Sequence, residues 1–379
     1  MTKPGKYINC PTGYKAYRPN PLPPSIDWNL NLAAALSKAD MLLGRLAGEG
    51  GKLPNPHILI RPFVTREAVL SSRIEGTQAT LGDILADHAG APVEIGPDDL
   101  REVNNYIIAL QHGIKRLKTF PLSLRLLREI HAKLMAGVRG NHATPGEFRK
   151  SQNWIGPAGC TLAQATYIPP CPDYLMECLG EFEKFLHDTT LPPLIQIALI
   201  HYQFEAIHPF LDGNGRVGRL LITLFLIEKD VLPTPLLYLS AFFEATRKEY
   251  YEKLFAVTTD GAWNDWILYF LNGVALQAED ALSRTSRINA LLEAWRKETI
   301  TLPSSLPNQL IDILAMNPFL TVKQTAEAIQ VAYNTMQRAT DKLEALGIVQ
   351  EVSGSKRNRV YCAKKILQIL EEPAKISTK

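Results

Sequence analysis

Apolar positions recur at three- and four-residue spacing along most of this chain, and breaks in that rhythm divide it into elements. Residues 30–46 carry the first stripe, which is expected to stop at Gly48, Gly50 and Gly51. After Pro54, Pro56 and Pro62 a short helix is predicted over 64–74, with Gly76 as its stop. Residues 78–88 are periodic until Ala89-Gly90-Ala91-Pro92, and 98–118 and 123–136 form amphipathic helices parted by Pro121. Further helices are expected over 174–187, 194–206, 216–229, 243–258 and 263–295.

Three stretches lack that period. Residues 1–30, rich in proline and glycine, are expected to be an extended arm. Residues 140–172 hold two short strand-like runs, 152–155 and 165–168, which predict a hairpin set between helices. Around 299–307 Thr, Ser and Pro mark a linker, and beyond it helices over 308–315, 322–329 and 334–346 precede strand runs 348–352 and 359–362. That order is a winged helix-turn-helix. The fold class is mainly α, divided at 1–97, 98–303 and 304–379, with the hairpin in the middle part and a small winged-helix domain at the end.

Composition narrows the class. The 379 residues are 46% hydrophobic and 21% charged, ordinary for a folded water-soluble protein. Net charge is +3, and from Ser305 onward ten Lys/Arg face seven Asp/Glu, so a polyanion contact is expected at that end if anywhere. Five scattered cysteines without a C-x-x-C pair argue against a disulfide framework or a structural zinc site. Residues 1–14 lack a signal-peptide core and no apolar run approaches the ~18–20 residues of a membrane span, so a cytoplasmic protein without membrane contact is expected.

The chemistry concentrates in His208-Pro209-Phe210-Leu211-Asp212-Gly213-Asn214-Gly215-Arg216-Val217-Gly218-Arg219. Gly213-Asn214-Gly215 opens a helix, where unpaired N–H groups and the macrodipole form an anion site. Arg216 and Arg219, three apart, share one face of the first turns and suit a polyphosphate. Asp212 is a hard oxygen ligand of the kind Mg²⁺ takes beside phosphate oxygens, and His208 can exchange a proton near pH 7. Together they describe a phosphate-transfer site. It is no Walker loop, since G-x-x-x-x-G-K-[ST] is absent, and no kinase H-R-D or D-F-G set occurs.

The segment resembles the Fic (Fic/Doc) family signature H-x-F-x-[D/E]-G-N-G-R-x-x-R at every defined position. Pro145-Gly146-Glu147-Phe148-Arg149, the hairpin after it and Ile168-Pro169-Pro170 are similar to the family's flap, and the likeness covers roughly 98–275. The resemblance implies a helical core with a hairpin flap and adenylylation of Ser, Thr or Tyr hydroxyls on target proteins, with ATP as co-substrate. It implies His208 as general base and Asp212 as the Mg²⁺ ligand. Gly213, Asn214 and Gly215 would cradle the phosphates, and Arg216 and Arg219 would neutralise them. Relatives often carry Asn near the adenosine where this chain has Thr246, which loosens the expectation of nucleotide choice.

Ser71-Ser72-Arg73-Ile74-Glu75-Gly76 is similar to the family's inhibitory signature [S/T]-x-x-x-E-[G/N]. That likeness implies that Glu75 pairs with Arg219 where the γ-phosphate would sit, giving a self-inhibited adenylyltransferase that also modifies itself. Two alternatives stay within enzymes: AMP removal, or transfer of UMP, phosphate or another group. A third is a DNA-binding regulator using its Fic core as a sensor. In the C-terminal module Asn334, Thr335, Gln337 and Arg338 would face a major groove, with Lys356, Arg357 and Arg359 at the wing tip. Protein contact or a homodimer is the competing use of that module.

Overall fold

The computed structural model describes residues 3–11, 13–52, 56–138, 144–157, 159–355 and 358–377. Its first elements correct the expected arm: β1 (Gly5–Asn9) and β2 (Lys15–Pro19) form an antiparallel hairpin, with Tyr7 opposite Tyr17. Tyr17 and Ala16 are buried, and the Tyr17 N–H donates to Ile168 O at 2.8 Å, so β2 leans on the end of the flap. Proline-rich composition hid a hairpin whose core is supplied from elsewhere in the chain.

α1 (Leu30–Lys52) runs through Gly44, Gly48, Gly50 and Gly51 rather than ending there. Helical glycine costs only about 1 kcal/mol each, and packing along the 37-residue α11 holds the helix. α2 (Pro56–Ile74) begins a full two turns earlier than its expected start at 64. Pro56 occupies the first position, and Pro62 removes one N–H near the start without ending the helix.

α3 (Leu81–His88) starts with a reciprocal cap: Asp83 N–H donates to Thr80 Oγ1 at 3.1 Å and Thr80 N–H to Asp83 Oδ2 at 3.0 Å. α4 (Pro97–Leu117) and α5 (Leu124–Leu134, capped by Ser123) follow. The flap pairs less than expected. One bridge, Ile155 opposite Tyr167, and a short 3₁₀ turn at Leu162–Gln164 replace two regular strands. α6 (Pro172–Leu186) then leads to α7 (Pro193–Ile207), which buries thirteen of its fifteen residues and is the central helix of the molecule. α8 (Asn214–Glu228) packs against α7. The helix expected over 243–258 is two, α9 (Ser240–Ala245) and α10 (Arg247–Asp260), broken at Thr246. The long α11 (Trp263–Thr299) completes the body.

The C-terminal module comprises α12 (Leu306–Met316), β3 (Phe319–Thr321), α13 (Val322–Ala328), α14 (Tyr333–Ala345), β4 (Gln350–Glu351), β5 (Val360–Cys362) and α15 (Lys364–Glu371). Its sheet has the order β3-β5-β4, antiparallel throughout. β3 and α15 were absent from the expected set; α15 is amphipathic, with Ile366, Ile369 and Leu370 buried. The module shares one hydrophobic core with the body, from Leu32 to Leu370, and α12 and α15 both pack on α2.

α2 is held from several sides. Glu67, fully buried, accepts from the Tyr106 hydroxyl of α4 at 3.1 Å, and from the hydroxyl and N–H of Ser240 on α9. Burial pushes its carboxyl up, and these donors pull the other way. Arg66 reaches Glu372 O at 3.4 Å, while Arg284 of α11 bonds Asp280 at 2.7 Å and the carbonyls of Ile369, Glu372 and Pro373. Replacing Glu67 with Ala strands three buried donors and opens a void. The expected loss is about 2–4 kcal/mol of unfolding free energy, measured by urea denaturation, with Glu67→Gln losing clearly less.

Candidate active site

The site is built where α7 ends and α8 begins. His208 closes α7 in the left-handed conformation (φ 50°, ψ 61°), a position glycine usually fills. A histidine there is strained by roughly 1–2 kcal/mol, and its surroundings hold it. His208 N–H donates to Phe204 O at 2.9 Å, and its carbonyl accepts from Arg149 Nε at 2.9 Å and Asn153 Nδ2 at 3.3 Å. Its Nδ1 lies 3.4 Å from Glu205 O, which places the ring proton there and leaves Nε2 with the lone pair. Burial first, and then Arg149, lowers the imidazole pKa to about 4, so the ring is neutral at pH 7.

The loop after His208 is fastened by side chains outside the motif. Asn214 closes a ring on Phe210, donating to its carbonyl and accepting from its N–H, both at 2.8 Å. The Asn214 amide is thus committed to the loop; what it can offer an anion is its backbone N–H. His131 of α5 stacks flat on Phe210 at 3.8 Å, accepts Gly146 N–H at Nδ1 (2.8 Å) and donates from Nε2 to Asp212 O (3.0 Å). Arg149 is buried among carbonyls of Ile207, His208, Ser151 and Pro170, joining the flap to the motif. Gly213 takes φ 76°, and a Cβ there would meet the Met135 sulfur at 2.9 Å. Gly215 allows close approach: a Cβ would meet Glu75 Oε1, and Arg219 Nη1 at 2.9 Å. In the first turn of α8 the N–H groups of Asn214, Gly215 and Arg216 have no acceptor four residues back within the helix.

The two arginines do different things. Arg219, 2% exposed, donates Nε to Ser71 Oγ (2.8 Å) and Nη2 to Ser71 O (2.9 Å) and to Glu75 Oε1 (2.6 Å). Burial would push Glu75 up, but Arg219 outweighs it and holds the carboxyl low, with a third of the side chain open to the cleft. Arg216 turns the other way, to Glu102 of α4 at 3.2 Å, with Asp212 at 3.9 Å; Thr77 also donates to Glu102.

Glu75, Glu205, His208, Gly215 and Arg219 line one cleft of about 670 Å³, walled by flap residues 154–157 and by Tyr250, Tyr251 and Phe255 of α10. A wider groove of about 1400 Å³ lies between α3 and the C-terminal module and contains no histidine. Asp212 stands at the surface, its side chain 59% exposed, with one oxygen accepting Gly213 N–H at 2.6 Å. Among the described residues no three His, Cys, Asp or Glu side chains gather as a metal cage. A single exposed carboxylate beside an anion cradle fits Mg²⁺ held mainly by substrate phosphates.

Other expected residues fall elsewhere. The Thr246 hydroxyl is engaged with Phe242 O and Tyr269 OH, both at 2.7 Å, outside the cleft lining. Asn334, Thr335, Arg338 and Arg359 are exposed on the C-terminal module, whereas Gln337 bonds Asp341 and Tyr361. Lys356 and Arg357 lie outside the described residues. Sequence reasoning missed Glu102, His131 and Glu205, and placed Arg149 in the flap without its contact to the His208 carbonyl. Of these, Glu205 carried a signal, as the one carboxylate in a helix that is otherwise uncharged apart from His201.

Two family models match the chain: the Fic/DOC family N-terminal model over residues 33–115 and the Fic/DOC family model over 121–226. Curated relatives include the protein adenylyltransferases Fic of Drosophila erecta and Drosophila melanogaster, 31% and 30% identical over 140 residues. That stretch is 36% of this chain and 26% of each relative, so the match spans about a quarter of their length. Among solved structures, a Fic family protein from Desulfovibrio desulfuricans G20 superposes with a TM-score of 0.60 at 20% identity, covering 90% of this chain and 98% of that one. Fic-1 from C. elegans superposes at 0.51 and 22%, covering 68% and 74%. The signature from His208 to Arg219, the helical fold around it and these matches agree: the chain belongs to the Fic/DOC family.

Proposed function

We propose that this protein transfers AMP from ATP to hydroxyl groups of proteins and that Glu75 restrains the reaction. The observation that carries the reading is the sharing of one cleft by His208, the open first turn of α8 and an Arg219 already paired with Glu75. His208 Nε2 takes the proton of the target hydroxyl, whose oxygen attacks the α-phosphorus. The bond from that phosphorus to the bridging oxygen breaks, and pyrophosphate leaves. The N–H groups of Asn214, Gly215 and Arg216 hold phosphate oxygens in place, and Asp212 would hold Mg²⁺, which supplies charge neutralisation when bound. The flap offers the exposed Trp154 and Ile155 beside the cleft, where an extended target segment can lie.

Glu75 occupies the guanidinium that a terminal phosphate needs, so the resting enzyme is slow. Transfer of label from α-labelled ATP with Mg²⁺ to the protein itself tests this. Labelling is expected to rise at least tenfold in Glu75→Gly and to vanish when His208→Ala is added. No label in any variant would favour AMP removal, for which the partly exposed Glu75 beside His208 could orient a water, or a different donor. Label from UTP in place of ATP would shift the substrate class.

The pH dependence has a defined sign. With its pKa lowered to about 4, His208 is in base form throughout pH 6–8. Activity of Glu75→Gly should therefore be lost only as pH falls toward 4–5. A limb near the ordinary imidazole value of about 6.5 would contradict the His208 environment described here.

A further inference from the structure

Among the described residues, every hydrogen bond of Arg219 ends on α2 or the turn after it: the Ser71 hydroxyl, the Ser71 carbonyl and Glu75. Whenever that end of α2 withdraws, a nearly fully buried guanidinium loses all its acceptors at once. A buried charge stripped of its partner is strongly destabilising. One further acid stands ready. Glu205, on the last turn of α7, lines the same cleft, and its Oε1 is sealed from solvent against Gly218 with no donor in reach. Three carboxylates thus bear on one arginine: Glu75 is bonded to it, Glu67 is committed to Tyr106 and Ser240, and Glu205 Oε1 has no partner among the described residues.

We propose that Glu205 is the reserve counterion of Arg219: a positioning residue that takes up the guanidinium when Glu75 leaves, and so keeps the emptied cleft folded and ordered. The proposal concerns the charge balance of the cleft and holds whichever group the enzyme transfers. While Glu75 is in place, burial, followed by the opposing pull of Arg219 and the push of Glu75, raises the Glu205 carboxyl to about 7. The other titratable and charged groups lining the same cleft are His208 and Tyr202 on α7, Tyr167 of the flap, and Arg247, Tyr250 and Tyr251 of α10. The four tyrosines are pushed upward by burial and stay protonated below pH 9, and His208 is neutral above 5. Glu205 is therefore the group that titrates here near neutrality. Its raised pKa means that the folded state binds the proton more tightly than the unfolded one. Stability is penalised fully above pH 7, and the penalty fades as pH falls through 7 toward the unfolded value of about 4.3.

The test uses the full-length chain and thermal unfolding, with no turnover. Glu205→Gln is made in wild type and in Glu75→Gly. At pH 8 the glutamine is expected to raise the midpoint in wild type, on the order of 3 °C, because it removes an unpaired buried charge. In Glu75→Gly the same change is expected to lower it, because Glu67 is already committed to Tyr106 and Ser240 and Glu205 is the one uncommitted carboxylate near Arg219 among the described residues. The wild-type gain should shrink at pH 5, and Glu205→Asp, which keeps the charge, should lower the Glu75→Gly midpoint less than glutamine does. A double variant that fails to fold while both single variants fold has the expected sign. A shift of one sign in both backgrounds, a gain independent of pH, or a Glu205→Gln protein that does not fold with Glu75 present would overturn the proposal.

Discussion

The structure around this site depends on one buried guanidinium. Arg219 is fixed to α8 but draws its hydrogen bonds from residues about 144–148 positions earlier, at the end of α2. A buried cation cannot be left without acceptors, so the end of α2, its turn and Glu75 are held against the motif helix by the same contact that would exclude a terminal phosphate. In the proposed function, stability and restraint would both come from this one ion pair. The partial exposure of Glu75 at the cleft mouth makes that pair breakable by a competing anion, which a fully sealed pair would resist.

Positioning of the motif is distributed. The left-handed His208 turns its ring into the cleft, and the strain is balanced by Arg149 and Asn153 on its carbonyl. His131 stacks on Phe210 and bonds Asp212 O, so α5 and the flap set the loop from beneath. Meanwhile α2 is gripped by Glu67, by α12 and by the Arg66, Asp280 and Arg284 network that reaches the last residues of the chain. The C-terminal module is therefore packed directly on the helix that carries Ser71 and runs into Glu75.

Much of the helical order was legible because amphipathic stripes and the breaks between them, such as Gly76, Ala89-Gly90-Ala91-Pro92 and Pro121, act locally. The motif was legible because its residues are contiguous. What failed had tertiary causes. The run of glycines did not end α1, because α11 holds it, and Pro62 did not delay α2, because one missing N–H near a helix start is tolerated. β1 and β2 escaped notice in proline-rich sequence, since their buried face is completed by the flap. Arg216 pairs with Glu102, a partner 114 residues away that no spacing rule reveals. His131, Arg149 and Glu205 each sit singly on a helix or loop, and their meaning arises only when three segments meet.

The most direct measurement is a crystal structure of Glu75→Gly with Mg²⁺ and a non-hydrolysable ATP analogue. The account predicts the terminal phosphate within hydrogen-bond reach of Arg219, where Glu75 Oε1 stood, with the α-phosphate facing His208 Nε2. A nucleotide bound away from Arg219, or an unchanged slow protein with its cleft vacant at saturating analogue, would contradict the claim that the Glu75–Arg219 pair governs this site.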